Sequence, residues 1–414
     1  MAKDDGDAEL SSAEAAALLD VKLPTLYAYV SRGLLHSIPS PDTKKRRYRR
    51  EDVVRLKARH DARSGHGPVA ASALRWGEPV LDSAITSVSG GRLRYRGHDA
   101  VELATGGTHF EALAELLWTG ALPAEPPAWS APGLGLPGAV LASLVGNAPA
   151  PVSVLQVLVP ALGARDADRF LATPEAELPR ARVLLLRMAA ALALPASPSR
   201  AQAALQAPSV AHAAVVALGA RPTPGAVRLV DLALGLFADH ELNASTFTAR
   251  VAASTGTDLY ACIAAALASV SGPRHGASCD RVEALLAEVG RPERAASTLQ
   301  ARARRGDAHF AFGHLLYPAG DPRTQPLVQA ALALAPKLPA LRTLEAVIQV
   351  GEQATGQRAA ADFGLVAAAL AAGLPPGSAT ALFALGRTAG WVAHVLEQRA
   401  AGFLLRPRAR YVGP

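Results

Sequence analysis

Residues 240–250 read HELNASTFTAR, which gathers His240, Asn243, Ser245, Thr246, Thr248 and Arg250 into eleven positions. The chain has 414 residues, of which 50% are hydrophobic and 19% charged, so this density of hydrogen-bonding side chains is a local event. It precedes a long apolar run, DLYACIAAALASV at 258–270, that ends at SGPRHG. Abundant Ala and Leu with few aromatics predict a mostly helical chain in which this polar stretch interrupts the packing.

A chain this long exceeds what one core usually organises, so two or three structural units are expected. The opening MAKDDGDAEL has no apolar signal core, and Arg187 cuts the run VLLLRMAAALAL well short of a membrane span. A soluble, cytoplasmic protein with no membrane partner is expected. Cys262 and Cys279 make no disulfide framework, and Cys279, four residues after His275, has no further ligand cluster, so no metal site is predicted. The formal charge of +7 suits anionic partners without choosing among them.

Near the start, Ser11 and Glu14 form a capping box for a helix through Leu19. After a short break, LPTLYAYVSR forms a second helix, with Pro24 in its first turn and Gly33 closing it. Leu23, Leu26 or Tyr27, and Val30 are assigned to its inner face, which leaves Thr25, Tyr29 and Arg32 outside. A Pro-containing turn, the basic run KKRRYRR at 44–50 and an acid-capped helix from Glu51 follow. This order resembles the winged helix-turn-helix of the MerR/excisionase type, over roughly residues 10 to 60. The resemblance implies DNA as a partner, with Thr25, Tyr29 and Arg32 facing base edges and Lys44, Lys45, Arg46 and Arg47 holding phosphates.

SGHGPVAASA at 64–73 marks a linker, and ITSVSGGRLRYRGHDAVELA reads as a hairpin turned at Ser89-Gly90-Gly91 that runs into a helix. Helical patterns continue from FEALAELLWTGALP onward, with no fixed repeat period. HELNASTFTAR, then ASTGTDLY and GPRHG, with GHLLYPAGDPR at 313–323, ADFG at 361–364, LFALGRTAGW at 382–391 and RPRARYVG at 406–413, resemble the citrate synthase family over about 335 residues. DFG is also a kinase triplet, but no VAIK-like lysine or HRD-type loop accompanies it.

The resemblance implies an all-α citrate synthase-type fold that joins acetyl-CoA or propionyl-CoA to oxaloacetate and then hydrolyses the thioester. Enolising a thioester needs a base, an enolate stabiliser and a polariser for the ketone. By resemblance Asp362 is the base, His275 donates to the thioester oxygen, and His314 polarises the ketone. His240, Arg323 and Arg387 then bind oxaloacetate, and Arg406 reaches across a homodimer. No cofactor beyond the acyl-CoA co-substrate is implied. The expected division is a winged helix-turn-helix at 1–63, a linker at 64–77, a large domain at 78–276 with 376–414, and a small domain at 277–375.

Three departures stand out. Leu315 and Pro318 occupy positions where many members carry basic residues near the CoA phosphates, Ala360-Ala361 precede the base where Asn-Val is usual, and Arg274 precedes His275 where a small or apolar residue is common. Arg274 is expected to disfavour an imidazolium at His275. Two classes of function follow: a synthase with a DNA-binding or regulatory head, or a transcriptional regulator that uses the same fold as a metabolite sensor.

Overall fold

The computed structural model describes residues 9–19, 21–31, 34–39, 46–50, 52–54, 56–57, 81–146, 150–307, 310–409, 411 and 413. Contacts divide the chain into two compact units, Met1–Asp82 with Pro407–Pro414, and Ser83–Arg406. The first contains helices Ser12–Leu18 and Leu23–Ser31 and a three-stranded antiparallel sheet in which Arg46–Arg49 lies between Glu9–Ser11 and Ile38–Pro39. The Ser11/Glu14 capping box is present, satisfying two orphan donors at once. Ala15, Ala16, Leu19, Leu26, Leu35, Tyr48, Val53 and Leu56 form its small core.

The second helix sits rotated from the sequence expectation. Leu26 is buried, and Tyr29 and Val30 pack against the core, whereas Leu23 and Tyr27 are exposed. Residues 26, 29 and 30 share one face at i, i+3 and i+4, so Tyr29 belongs to the packing and is not outward-facing as predicted. Thr25, Arg46 and Arg47 are exposed, whereas Arg32, Lys44 and Lys45 lie outside the described residues.

The second unit opens with a two-residue hairpin, Thr86–Ser89 paired with Arg92–Tyr95, and a short third strand, His98–Asp99. Asp99 then caps the helix Ala100–Thr105. Apart from an isolated bridge between Phe312 and Ala359, the regular structure of the remaining described residues is helical. At its centre Ser378–Ala401 is buried around most of its circumference, as its run of Ala, Gly, Thr and Leu requires, and it packs against Phe110–Thr119, Pro224–Leu236, Ala244–Ser254 and Leu259–Val270.

Gly386 and Gly390 let the centre close. A Cβ at Gly386 would stand 2.8 Å from the Leu234 carbonyl oxygen, and one at Gly390 would stand 2.6 Å from that of Ala238. The end of Pro224–Leu236 and the turn before HELN can therefore lie directly on the central helix. Gly386→Ala is expected to cost about 1–3 kcal/mol by overpacking, seen as a lower thermal midpoint. An unchanged midpoint would contradict this close approach.

Candidate active site

HELNASTFTAR forms a turn and a helix start. Glu241, next to His240, is held at φ 50, a left-handed conformation that costs about 1–3 kcal/mol for a residue with a side chain. Its carboxylate accepts from Val88 N–H at 2.7 Å, which ties the strained turn to the hairpin. Asn243 caps the helix Ala244–Ser254 by accepting from Thr246 N–H. Thr248 bonds back to Ala244 O at 2.8 Å, while buried Arg250 donates to Glu397 Oε2 at 2.6 Å and to Gln398. His240 is buried, with Nε2 3.0 Å from the Tyr317 hydroxyl and its ring 5.4 Å from that of His314, edge to face.

Ser245 does more than close a helix end, because its Oγ lies 2.8 Å from His275 Nε2. The same hydroxyl donates to Asn243 Oδ1 at 2.8 Å and accepts from Trp391 Nε1–H at 3.1 Å. Its single hydrogen is thus committed to Asn243, so satisfying every contact makes His275 the donor through Nε2–H and leaves Nδ1 with its lone pair. His275 follows the turn of SGPRHG, where a Cβ at Gly276 would meet the Val270 carbonyl oxygen at 2.7 Å.

Burial, and then the Arg387 guanidinium, push His275 down to about 4. Arg274, exposed, is not among the causes, which corrects the sequence expectation. His240 is pushed well below its usual range by burial, Arg323 and Arg387, and His314 is lowered chiefly by burial. All three rings are therefore neutral near neutral pH.

The sign of the resulting pH dependence is fixed. From pH 6.5 down to about 4 the unfolded chain protonates His275 and the native site does not, so the stability its neutral form confers at higher pH is lost across that window. Thermal midpoints measured from pH 7 to 4 should fall, and less steeply in His275→Gln. Equal slopes would contradict the neutral assignment.

His314 occupies a loop pinned to the segment before Asp362: Gly313 N–H donates to Arg358 O at 2.7 Å, Ala360 N–H to Ala311 O at 2.8 Å, and Thr324 Oγ1 to Ala359 O at 3.0 Å. Ala311, at φ 62, is a second non-glycine residue in the left-handed region near the cluster. Leu316 N–H donates to His314 Nδ1 at 3.2 Å, which makes Nε2 the ring's N–H. Leu315 is 71% exposed, and Pro318 is exposed too.

Asp362 stands in the first turn of Ala361–Ala371, half-buried. Its Oδ1 accepts from the Ser278 hydroxyl and lies 3.6 Å from Cys279 Sγ. Burial raises its carboxyl above the ordinary range against these donors.

The two arginines differ. Arg323 is buried and bound to Asp321 through Nε at 2.9 Å and Nη2 at 2.6 Å, with its guanidinium over Phe237. Arg387 is buried over Phe383 and donates from Nε to Phe237 O at 2.9 Å, with no carboxylate bonded to it among the described residues. Burial pushes it down to about 10, still charged at neutral pH. Phe237 and Phe383 meet edge to face at 5.2 Å, and His275 lies 5.4 Å from Phe383.

His240, His275, His314, Asp362, Arg323 and Arg387 thus form one cluster. Arg406 is not in it: it is exposed beyond the long helix, without a hydrogen bond or ion pair among the described residues. Sequence reading missed Tyr317, Asp321, Phe237, Phe383, Ser278 and Cys279. Two left a signal: Asp321 stands two before Arg323 in GDPR, and Phe383 four before Arg387 on one helix face. No group of three or more metal-ligating side chains occurs among the described residues, and no described helix is long and apolar enough to cross a membrane.

A helical unit that gathers three neutral histidines, a half-buried carboxyl and two arginines defines a class suited to carbon-acid chemistry on an anionic substrate. Comparison with known proteins makes this specific. Residues 73–408 match the family described as citrate synthase, C-terminal domain, and residues 9–61 match a helix-turn-helix domain. A citrate synthase of Haloferax volcanii is 33% identical over 355 residues, 81% of this chain and 93% of that one. A 2-methylcitrate synthase of Shewanella oneidensis is 30% identical over 352 residues, covering 81% and 92%. The citrate synthase of Thermoplasma acidophilum, solved as a ternary complex with carboxymethyl coenzyme A and oxaloacetate, superposes with a TM-score of 0.74 at 26% identity, covering 83% of this chain and 96% of that one. The chain belongs to the citrate synthase family. It is a citrate synthase-type enzyme with a helix-turn-helix domain at its N-terminal end.

Proposed function

We propose that the chain condenses an acyl-CoA, acetyl-CoA or propionyl-CoA, with oxaloacetate to give citrate or 2-methylcitrate and CoA. The observation that carries this is the placing of Asp362, His275 and His314 in one cluster beside an arginine, Arg387, that has no bonded carboxylate among the described residues. Asp362 takes a proton from the carbon next to the thioester. His275 donates to the thioester oxygen as the enol forms. His314, with Nε2–H fixed by the Leu316 amide, donates to the ketone oxygen and makes its carbon electrophilic. The enol carbon attacks there, and water then cleaves the thioester. His240, Arg323 and Arg387 hold the oxaloacetate carboxylates, and Arg406 comes from the second subunit of a homodimer.

For His275 to donate from Nδ1, its Nε2 must become the acceptor. The Ser245 hydroxyl hydrogen then turns from Asn243 Oδ1 to His275, a rotation about one bond. Closure of residues 277–375 on oxaloacetate exchanges water for these donors before the acyl-CoA reacts. The acyl group differs by one methylene between the two co-substrates, worth about 1–3 kcal/mol in a pocket. Mass analysis of the product from oxaloacetate with each acyl-CoA tests the reading; absence of both tricarboxylates in a folded, oxaloacetate-binding protein would sink it.

The second reading, a DNA-binding regulator with the fold as its metabolite sensor, draws on Arg46, Arg47, Arg49 and Arg50, exposed together at the wing of the N-terminal unit. Arginines on a wing suit backbone phosphates, and binding should weaken steeply with salt. Duplex retention at 50 mM salt that is lost in Arg46→Ala with Arg47→Ala would support it, and equal retention by both proteins would count against it. A sensor needs the arginines but has little use for Asp362.

A further inference from the structure

Ser278 and Cys279 open the helix Ser278–Val289, whose N-cap is Ala277 and makes no side-chain capping bond. The Ser278 hydroxyl is turned across to Asp362 Oδ1, and the Cys279 thiol lies 3.6 Å from the same oxygen. No side chain among the described residues hydrogen-bonds to Oδ2. The helix start is itself fixed: Thr380 Oγ1 donates to Asp280 Oδ1 at 2.6 Å, and Glu283 accepts from Gly377 N–H at 2.8 Å. Ser278 is therefore held at the carboxylate by anchors two and five residues further along its own helix.

We propose that Ser278 is a positioning residue for the condensation: its hydroxyl occupies Oδ1 of Asp362, fixes the plane of the carboxylate, and leaves Oδ2 as the atom that takes the substrate proton. The inference rests on Asp362 being the base. The carbon–hydrogen bond of the acyl group breaks, its proton goes to Oδ2, and its electron pair becomes the enol double bond, while Ser278 keeps its own proton. A donor on Oδ1 stabilises the ionised form and so opposes the rise that burial imposes on the carboxyl. The other titratable and charged groups facing Asp362 are Cys279 from the same helix turn and Arg323 and His314 from the 314–323 segment, with Asp280 and Glu283 near Cys279.

The test compares the pH dependence of kcat in the full-length protein for wild type, Ser278→Ala, Ser278→Thr and Asp362→Ala. Alanine is well tolerated inside a helix, so loss of folding does not confound the first variant. Removing the donor should move the acid limb of kcat up by about one pH unit with KM for oxaloacetate unchanged, and threonine should return it to the wild-type position. An acid limb that stays in place in Ser278→Ala, with Asp362→Ala inactive, overturns the proposal and leaves the base standing. Full activity in Asp362→Ala removes the base, and the proposal with it.

Discussion

Asp362→Ala is expected to lower kcat by about 10²- to 10⁴-fold, the range for loss of a positioned general base, with oxaloacetate binding retained. The carboxyl is the acid group in this cluster without an arginine bonded to it: Asp321 is bound by Arg323, whereas the side chains hydrogen-bonded to Asp362 are a hydroxyl and a thiol. Its basicity is raised by burial, a cost the folded state bears without an ion pair in return. Removing it therefore relieves the fold, and Asp362→Asn, which keeps the shape, should melt no lower than wild type. Activity lost together with thermal stability would point to a structural carboxylate; activity lost from a protein as stable as wild type is the signature of a base.

The second large effect separates the two arginines. Arg387→Gln removes a buried cation that is bonded to a backbone carbonyl and to no carboxylate among the described residues. The protein loses little, but the substrate loses charge-assisted hydrogen bonds worth about 1.5–3 kcal/mol, so Kd for oxaloacetate should rise about 10- to 100-fold. Arg323→Gln behaves differently, because it strands Asp321, bound through both carboxylate oxygens and nearly inaccessible. Breaking such a pair costs about 3–5 kcal/mol, so that variant should show a marked fall in thermal midpoint. Calorimetric titration with oxaloacetate and thermal melts of both proteins make the check. Wild-type affinity in Arg387→Gln would remove it from the substrate site.

Much of this was legible because the chemistry sits in short motifs with local punctuation. Ser11 with Glu14 reads as a capping box, Ser89-Gly90-Gly91 as a hairpin turn, and both stand in the structure where the spacing puts them. Helix periodicity failed where its signal was divided: Leu23, Leu26, Tyr27, Tyr29 and Val30 offer two overlapping apolar faces, and only packing against Tyr48 and its neighbours chooses between them. At the site, the histidines and Asp362 came from motifs, but what sets their protonation came from distant partners. Ser245 is 30 residues from His275, and Ser278 is 84 from Asp362. No period or motif in one chain encodes such a contact. The same holds for the cause of the His275 shift, assigned to its neighbour Arg274 in sequence but arising from burial and from Arg387.

Thiol release from acetyl-CoA and from propionyl-CoA, each with and without oxaloacetate, distinguishes condensation at this cluster from simple thioester hydrolysis. Release is expected to require oxaloacetate, with the faster acyl-CoA identifying the product. Release at the same rate without oxaloacetate, or none from either acyl-CoA in a folded protein that binds oxaloacetate, would contradict condensation.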